Sequence, residues 1–265
     1  MSKRQFNYYF LLFSIIFVVF FVFFQQSYAS INFNQLSTDR YKRQNFTAKR
    51  FYRYARNIYN QIGLKDYTDF QTFATSLIGY LNLKRKGLIK KDGLLVLIDY
   101  AQPSDKERFF VIDIRRKKLI YKSLVAHGKY SGEKFAYSFS NRPGSYKSSL
   151  GFFITGKTYC GKHGSSLFLQ GVEPGINDNA VKRRIVIHGA DYVSRSFIRK
   201  YGRLGRSHGC PALPLDLAKP IIETIKDGSC VFIFGKDASY FRRSSVINAT
   251  QAISYFEQKD IDELY

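Results

Sequence analysis

One short stretch combines the residue types that acyl-transfer chemistry needs. Residues 202–214 read GRLGRSHGCPALP and place Cys210 on a tight turn between a glycine and a proline. A cysteine thiolate attacks carbonyl carbons, and a neighbouring imidazole lowers the pKa of the thiol by favouring the ion pair. His188 ends an apolar run upstream and is the candidate for this partner. Backbone N–H groups around Gly209 and Cys210 are positioned in the sequence to stabilise a developing oxyanion.

The same residues leave two alternatives open. His188, His208 and Cys210 are all potential zinc ligands, which would make a metal site. However, the sequence has no Cys-x-x-Cys or His-x-x-x-His pair to anchor the four ligands of a structural zinc. In the second alternative these residues fill core and turn positions and carry no chemistry.

The bulk composition describes a globular and strongly basic chain. Its 265 residues are 45% hydrophobic and 17% aromatic, which excludes global disorder and suits one large domain. The formal net charge of +22 points to anionic partners. Because the positive charge is spread along the chain and not gathered in a dense arm, it favours anionic envelope polymers over nucleic acid.

The first 29 residues have the layout of a secretory signal peptide. A short basic start precedes an uncharged apolar run over 8–24, and Ser27 and Ala29 occupy the −3 and −1 positions of a cut after Ala29. We therefore expect export to the periplasm or cell envelope. An uncleaved segment is the alternative, since the apolar run is near the lower limit for spanning a bilayer, and it would attach the chain to the membrane.

Periodicity then divides the remainder into three parts. Apolar residues at helical spacing predict helices over 45–63 and 66–83, within a helical extension assigned to 30–90. Short apolar runs separated by turn-formers predict strands from about residue 92, followed by a helix over 215–226 and a strand around Cys230. This mainly β domain covers 91–235, and 236–265 is predicted to be a peripheral tail. The odd number of cysteines leaves at least one thiol free unless two chains are bridged.

Two motifs in this β domain resemble a known family. Ile185-Val-Ile-His188-Gly189, followed by Ser207-His208-Gly209-Cys210, resembles the signature of the YkuD-type L,D-transpeptidases, which is His-Gly, a gap, then Ser/Thr-x-Gly-Cys. The block Ser-His-Gly-Cys-Pro-Ala-Leu-Pro is most similar to the murein L,D-transpeptidase catalytic domain proteins. The similarity extends over about residues 90–235. It implies a β-sandwich of that family with peripheral helices.

The resemblance also implies roles for individual residues. Cys210 would be the nucleophile and His188 its general base, with the backbone carbonyl of Gly189 orienting the imidazole. Three further residues would shape the oxyanion pocket: Ser207, His208 and Gly209. No metal or organic cofactor is implied, and sensitivity to carbapenems is expected.

The implied activity is that of an exported cysteine acyltransferase acting on peptidoglycan stem peptides. Attack by the thiol on the L,D peptide bond would give a thioester, and an amine of a second stem would resolve it to a 3→3 crosslink. With water as the acceptor, the same site would be an L,D-carboxypeptidase. A non-catalytic envelope-binding protein that keeps the fold is the alternative from another class.

Two departures from the family pattern bear on substrate binding. The commoner version carries Arg or Asn two residues after the cysteine, whereas Ala212 stands here. Arg203 and Arg206 are the candidates for holding a substrate carboxylate in a forked pair. The gap between the motifs is also longer than usual, and the extra length in 190–206 is predicted to be a lid loop. His127 and His163 each precede a glycine and are expected to be structural.

Overall fold

A computed structural model describes residues 45–161 and 164–259 of the chain. The predicted signal peptide, His163 and residues 260–265 lie outside these ranges. The chain divides into two units, 1–50 and 51–265. In the first unit the described residues 45–50 are helical. Within the described ranges, no helix combines the length and the apolar character needed to cross a membrane.

The second unit is organised around one hydrogen-bonded sheet of eight strands. Their order across the sheet is β3-β2-β1-β8-β4-β5-β6-β7. Strand pairs are antiparallel except β1 with β8 and β6 with β7, which are parallel. The strands are β1 (Leu94–Asp99), β2 (Phe109–Asp113), β3 (Lys118–Ser123), β4 (Gly151–Gly161), β5 (Gly164–Gly171), β6 (Val186–Gly189), β7 (Ala212–Leu213) and β8 (Cys230–Phe234).

Six helices accompany the sheet in the described part of this unit. They are α1 (51–61), α2 (Phe70–Arg85), α3 (Arg195–Tyr201), α4 (Leu215–Ile225), α5 (Ala238–Arg243) and α6 (Ala249–Gln258). The prediction of a mainly β fold with peripheral helices and a helical N-terminal addition is confirmed. Its strands form a single continuous sheet.

Capping residues explain where the first helices differ from the prediction. Gly63 has a φ of 69°, in the left-handed region that favours glycine, and it stops the chain from continuing as a helix. Helix α2 begins at Phe70 and not at Asp66, because the Asp69 carboxylate accepts the Thr72 N–H at 2.8 Å as an N-cap. Leu64–Asp66 form a 3-10 turn between the two helices.

The predicted lid segment contains a helix that the periodicity did not indicate. Helix α3 has Ser194 as its N-cap and ends at Gly202, whose φ is 70°. The flanking Val193 and Leu204 are buried in a small apolar cluster with Ala126, Ala190 and Ala212. The segment is therefore anchored at both ends of α3.

The two helices that follow β8 also pack within the second unit. Tyr240 of α5 and Phe256 of α6 are both nearly inaccessible to solvent. The Phe256 ring meets the Phe51 ring of α1 edge-on, with 5.6 Å between centroids. The boundaries assigned from the sequence, 30–90, 91–235 and 236–265, remain a prediction.

The main core lies between the sheet and helices α1, α2 and α4. Ile185 and Ile187 belong to it while Val186 does not, as the alternation of strand side chains requires. Cys230 is fully buried in β8, and burial raises the pKa of its thiol. It is a core residue, as its apolar surroundings in the sequence indicate.

We expect Gly79→Ala to destabilise the protein. A Cβ at Gly79 of α2 would overlap the ring of Phe152, which is fully buried and stacked on Phe232 at 4.3 Å. Alanine favours a helix over glycine by about 1 kcal/mol, but overpacking costs up to about 3 kcal/mol, so a net loss of up to about 2 kcal/mol should appear in urea unfolding. In a Phe152→Leu background the same change should cost less, and an equal cost in both backgrounds would contradict this packing.

Candidate active site

The turn that carries Cys210 is closed by the side chain of Ser207. The Ser207 hydroxyl donates to the Cys210 carbonyl oxygen at 2.6 Å and accepts the Gly209 N–H at 3.0 Å. Gly209 has a φ of 122°, and a Cβ there would lie 2.8 Å from the Lys147 carbonyl oxygen. Both the backbone conformation and the available space therefore require glycine.

A neighbouring backbone segment anchors this turn on both sides. The Ser207 N–H donates to the His127 carbonyl at 3.0 Å, and the Lys129 N–H donates to the Ser207 carbonyl at 2.7 Å. Beyond the turn, Ala126 and Ala212 exchange backbone hydrogen bonds at 2.9 and 3.3 Å. The thiol-bearing residue is thus fixed between two paired stretches.

Gly128 and Ser148 complete this support and were not among the predicted site residues. A Cβ at Gly128 would lie 2.9 Å from the Cα of Gly209 and 2.6 Å from the Tyr146 carbonyl oxygen. The Ser148 hydroxyl accepts the Gly128 N–H at 3.0 Å and donates to the Gly209 carbonyl at 3.2 Å. Both residues lie within the stretch of about 90–235 that resembles the family, and that was the only sequence signal for them.

His127 belongs to this support and not to the reacting groups. It is fully buried, its Nδ1 accepts from Arg108 Nη2 at 2.8 Å, and its Nε2 lies 3.2 Å from the Gly132 carbonyl oxygen. Burial, and then the nearby Arg108 guanidinium, lower the pKa of His127 to about 3. The ring is therefore neutral near pH 7, with Nδ1 as acceptor and Nε2 as donor.

The Cys210 thiol is half-buried against the residues that lead into β6. Its Sγ lies 3.6 Å from the Arg184 carbonyl oxygen, which accepts the thiol proton. Burial raises the pKa of this thiol, and the Val186 N–H and the Arg183 guanidinium oppose that shift. In the resting protein the group is accordingly a neutral thiol near pH 7, and attack requires a base.

His188 ends β6 beside the strand that follows the cysteine turn. The parallel register pairs His188 with Ala212, and the side chain is only 5% exposed. His188 Nδ1 lies 2.8 Å from the Gly189 carbonyl oxygen. Because a carbonyl can only accept, Nδ1 carries the proton and the neutral ring has its lone pair on Nε2. This is the contact that the resemblance implies, while the catalytic role stays a prediction.

His208 lies at the exposed rim of the turn. Its ring packs against the Tyr146 ring, with 4.4 Å between the ring centroids. The centroid of the Tyr146 ring in turn lies 5.9 Å from that of the Tyr130 ring. Both tyrosines are substantially exposed. The side chain of His208 thus belongs to an aromatic rim outside the hydrogen-bonded turn.

Arg203 and Arg206, predicted to hold a substrate carboxylate, both pair with a carboxylate of the chain itself. Arg203 Nε lies 2.8 Å from one Glu133 oxygen and Arg206 Nη1 lies 2.6 Å from the other. Arg206 also donates to the Lys129 and Gly132 carbonyls, at 3.1 and 3.2 Å. These contacts tie the residues before Ser207 to the 129–133 turn, and the substrate-binding role remains a prediction.

Two residues near the thiol were missed by the sequence reasoning. The Arg183 guanidinium acts on the pKa of Cys210, and Cys210 acts on that of Tyr192. Burial is the main cause that raises the pKa of Tyr192 to about 12, so its phenol stays protonated. A Cβ at Gly205 would overlap the Tyr192 ring, which shows how closely the two pack. No motif in the sequence links either side chain to the cysteine.

The alternative of a metal centre finds no support among the described residues. No group of three or more His, Cys, Asp or Glu side chains lies close enough there to hold an ion. Cys160 is exposed on β4 and Cys230 is buried in β8, so neither joins Cys210. All three thiols are free.

Comparison with known proteins identifies the class of this domain. The family model of the L,D-transpeptidase catalytic domain matches residues 64–234, which include the sheet, the cysteine turn and His188. The chain therefore belongs to the L,D-transpeptidase catalytic domain family. The match begins inside the segment predicted to be an N-terminal extension. No curated protein matches the chain at a significant level.

Solved structures that resemble the chain are distant. The helical cell shape determining protein Pgp2 of Campylobacter jejuni (K307A mutant) is 16% identical with a TM-score of 0.41, over 69% of this chain and 63% of that one. An L,D-transpeptidase of Mycobacterium smegmatis is 13% identical with a TM-score of 0.34, over 54% of this chain and 59% of that one. The chain thus spans about three fifths of either protein, and family membership rests on residues 64–234.

We expect Ser207→Ala to loosen the cysteine turn. The change removes both hydrogen bonds of the hydroxyl and leaves the buried Gly209 N–H without its acceptor, which costs about 1–3 kcal/mol. Urea unfolding should show this loss, and modification of Cys210 by iodoacetamide, followed by peptide mass spectrometry, should change in rate. Ser207→Thr keeps the hydroxyl and is the matched control. Wild-type stability and reactivity in Ser207→Ala would show that the hydroxyl does not hold the turn.

Proposed function

We propose that the protein is an exported L,D-transpeptidase that uses Cys210 to transfer acyl groups between peptidoglycan stem peptides. The observation that carries the proposal is the His188 imidazole, held by the Gly189 carbonyl at 2.8 Å on the strand that pairs with the residues after Cys210. That contact leaves Nε2 as the proton acceptor of the ring. A neutral thiol that an oriented imidazole can deprotonate is the arrangement that base-activated cysteine catalysis requires.

In the first step His188 takes the Cys210 proton and the sulfur attacks the carbonyl carbon of the L,D peptide bond. The bond between the third stem residue and the terminal D-residue then breaks. His188 returns the proton to the leaving amine, and the third residue remains attached as a thioester. No other reactant is needed to balance this step.

The oxyanion of the tetrahedral intermediate would be stabilised by backbone N–H groups of the turn. Of the two groups expected from the sequence, the Gly209 N–H already donates to Ser207. The Cys210 N–H is therefore the donor that we assign to the oxyanion. Ser207 and Gly209 would act by fixing the turn, and His208 by bordering the pocket at its rim.

In the second step an amine of another stem attacks the thioester and forms the 3→3 crosslink. His188 accepts a proton from that amine, and the thiol of Cys210 is regenerated when the proton returns to sulfur. Water in place of the amine would release a shortened stem, which is L,D-carboxypeptidase activity. Both reactions use the same acyl-enzyme.

The compartment and partners follow from the substrate. Cell-wall peptides lie outside the cytoplasmic membrane, and the predicted signal peptide over 1–29 would deliver the chain to the periplasm or envelope. The net charge of +22 would keep the enzyme near stem peptides and other acidic envelope polymers. We keep the organisation assigned from the sequence: signal peptide, helical extension to residue 90, catalytic domain over 91–235, and C-terminal tail.

The acyl-enzyme step is tested by intact-mass spectrometry of the purified full-length protein after incubation with a carbapenem. We expect a covalent adduct on the wild type and none on Cys210→Ala. In His188→Gln the adduct should form at least about 10²-fold more slowly, because general-base catalysis contributes about 10²–10⁴-fold. Cys160→Ala, which removes the exposed thiol of β4, is the matched control and should react like the wild type.

Each other outcome assigns the chain to a different class. An adduct that persists in Cys210→Ala would place the nucleophile elsewhere. A folded wild type that forms no adduct, yet binds isolated cell walls, would indicate a non-catalytic envelope-binding protein.

The acceptor is identified by the products made from a tetrapeptide stem. We expect mass spectrometry to show a crosslinked dimer that lacks one terminal D-residue, formed by the wild type and not by Cys210→Ala. Accumulation of the shortened tripeptide stem without any dimer would instead identify an L,D-carboxypeptidase.

A further inference from the structure

We propose that Arg183 is a positioning residue for Cys210, which holds the loop over 140–149 against the cysteine turn and places the positive charge that stabilises the thiolate. The inference rests on the proposed role of Cys210 as the nucleophile. Neither the sequence motifs nor the family match assigns a role to this residue.

The Arg183 guanidinium is committed to one loop. Its Nη1 donates to the Ser140 carbonyl at 2.6 Å and to the Ser149 hydroxyl, while its Nη2 donates to the Lys147 carbonyl at 2.6 Å and to the Ser145 hydroxyl at 3.3 Å. Four contacts from a planar fork fix its orientation more firmly than a lysine ammonium would. The loop between β3 and β4 is thus held at Ser140 and at three residues that follow it. These are Ser145, Lys147 and Ser149.

This loop borders the cysteine turn directly. The Lys147 carbonyl that Arg183 holds lies 2.8 Å from the place where a Cβ on Gly209 would be. Arg183 Nη2 itself lies 3.2 Å from the same point. The guanidinium therefore lies next to the residue immediately before Cys210, and a displaced loop would move the turn.

The position of the charge matters because the two phenols that interact electrostatically with Cys210 are neutral acids. Cys210 acts on the pKa of Tyr100 and of Tyr192, and burial raises both values, so both phenols are protonated near pH 7. His188, on β6, is the proposed base. Arg183 supplies the formal positive charge, and it opposes the rise that burial imposes on the pKa of Cys210.

The sequence offers a reason why this charge comes from position 183. Two residues after the cysteine, where the commoner family version has Arg or Asn, this chain has Ala212. Ala212 is fully buried, pairs with Ala126 and His188, and belongs to the small apolar cluster. A polar side chain at position 212 would enter this apolar cluster, whereas Arg183 approaches the turn from the residues just before β6.

The test is the pH dependence of Cys210 alkylation by iodoacetamide in full-length protein carrying Cys160→Ala, so that the exposed second thiol does not react. Removing the charge disfavours the thiolate, so Arg183→Met should move the rate profile to higher pH and lower the rate at pH 7 by about fivefold. Arg183→Lys keeps the charge, and its profile should stay near that of wild type. The neighbouring exposed cation is the matched control, and Lys182→Met should not move the profile.

If Arg183 were merely structural, Arg183→Met and Arg183→Lys would both lower the thermal midpoint of unfolding, but the pH profile of alkylation of the folded protein would not change. That result would overturn the proposal. If Arg183→Met does not fold, Ser149→Ala and Arg183→Gln carry the test, and an unmoved profile in both overturns it equally. The measurement reports the thiol alone. Failure of acyl transfer with a shifted profile would therefore count against the proposed function and not against the role of Arg183.

Discussion

The backbone pairing between 126–129 and 207–212 is the constraint on which the candidate site depends. Hydrogen bonds on both sides of the cysteine turn tie it to one segment, and that segment follows β3 on the far half of the sheet. The approach is so close that neither Gly128 nor Gly209 has room for a Cβ. Turn, sheet edge and loop are therefore one packed assembly, and a shift in any of them would displace Cys210.

Two buried polar side chains that contact each other hold the start of that segment. Arg108 and His127 are both fully buried, and the guanidinium donates to the Val125 carbonyl from Nε and Nη2 at 3.1 and 2.9 Å. Burying a guanidinium costs several kcal/mol unless its donors are satisfied. Here carbonyl oxygens and the neutral His127 ring satisfy them, and these contacts hold the chain in place through 125–127.

The strands of the sheet and the Cys210 motif could be predicted because their signals are local. Apolar runs bounded by turn-formers predicted the strands from about residue 92 onward and the strand around Cys230, and the Gly-Cys-Pro turn singled out the thiol. Helix α3 was missed because its stability comes from Ser194, Gly202 and burial of flanking residues, with no long apolar stripe. Arg183 was missed because its contacts lie 34 to 43 residues away along the chain, and such contacts exist only once the sheet has formed.

For Arg203 and Arg206 the structure adds contacts that local reasoning could not supply. Their proximity to Cys210 in sequence predicts substrate contacts, which remain a prediction, and the structure pairs both with Glu133. In a chain with 42 basic and 20 acidic residues, a cation near a site is common whatever its role, so proximity carries little information. Hydrogen bonds to specific acceptors are a better criterion for a role at the site. Arg183 makes such bonds to the loop that borders the cysteine turn.

The charge of the whole chain and the environment of the thiol act in opposite directions. A net charge of +22 favours anions everywhere on the surface, and by itself it would lower the pKa of Cys210. The pKa is instead raised, because burial acts at contact distance whereas exposed charges are screened over about 8 Å at physiological salt. Long-range charge can therefore govern only the encounter with an anionic partner. The reactivity of the thiol is decided by groups within contact distance. A neutral thiol that is hydrogen-bonded to a carbonyl oxygen becomes a nucleophile only when a base removes its proton.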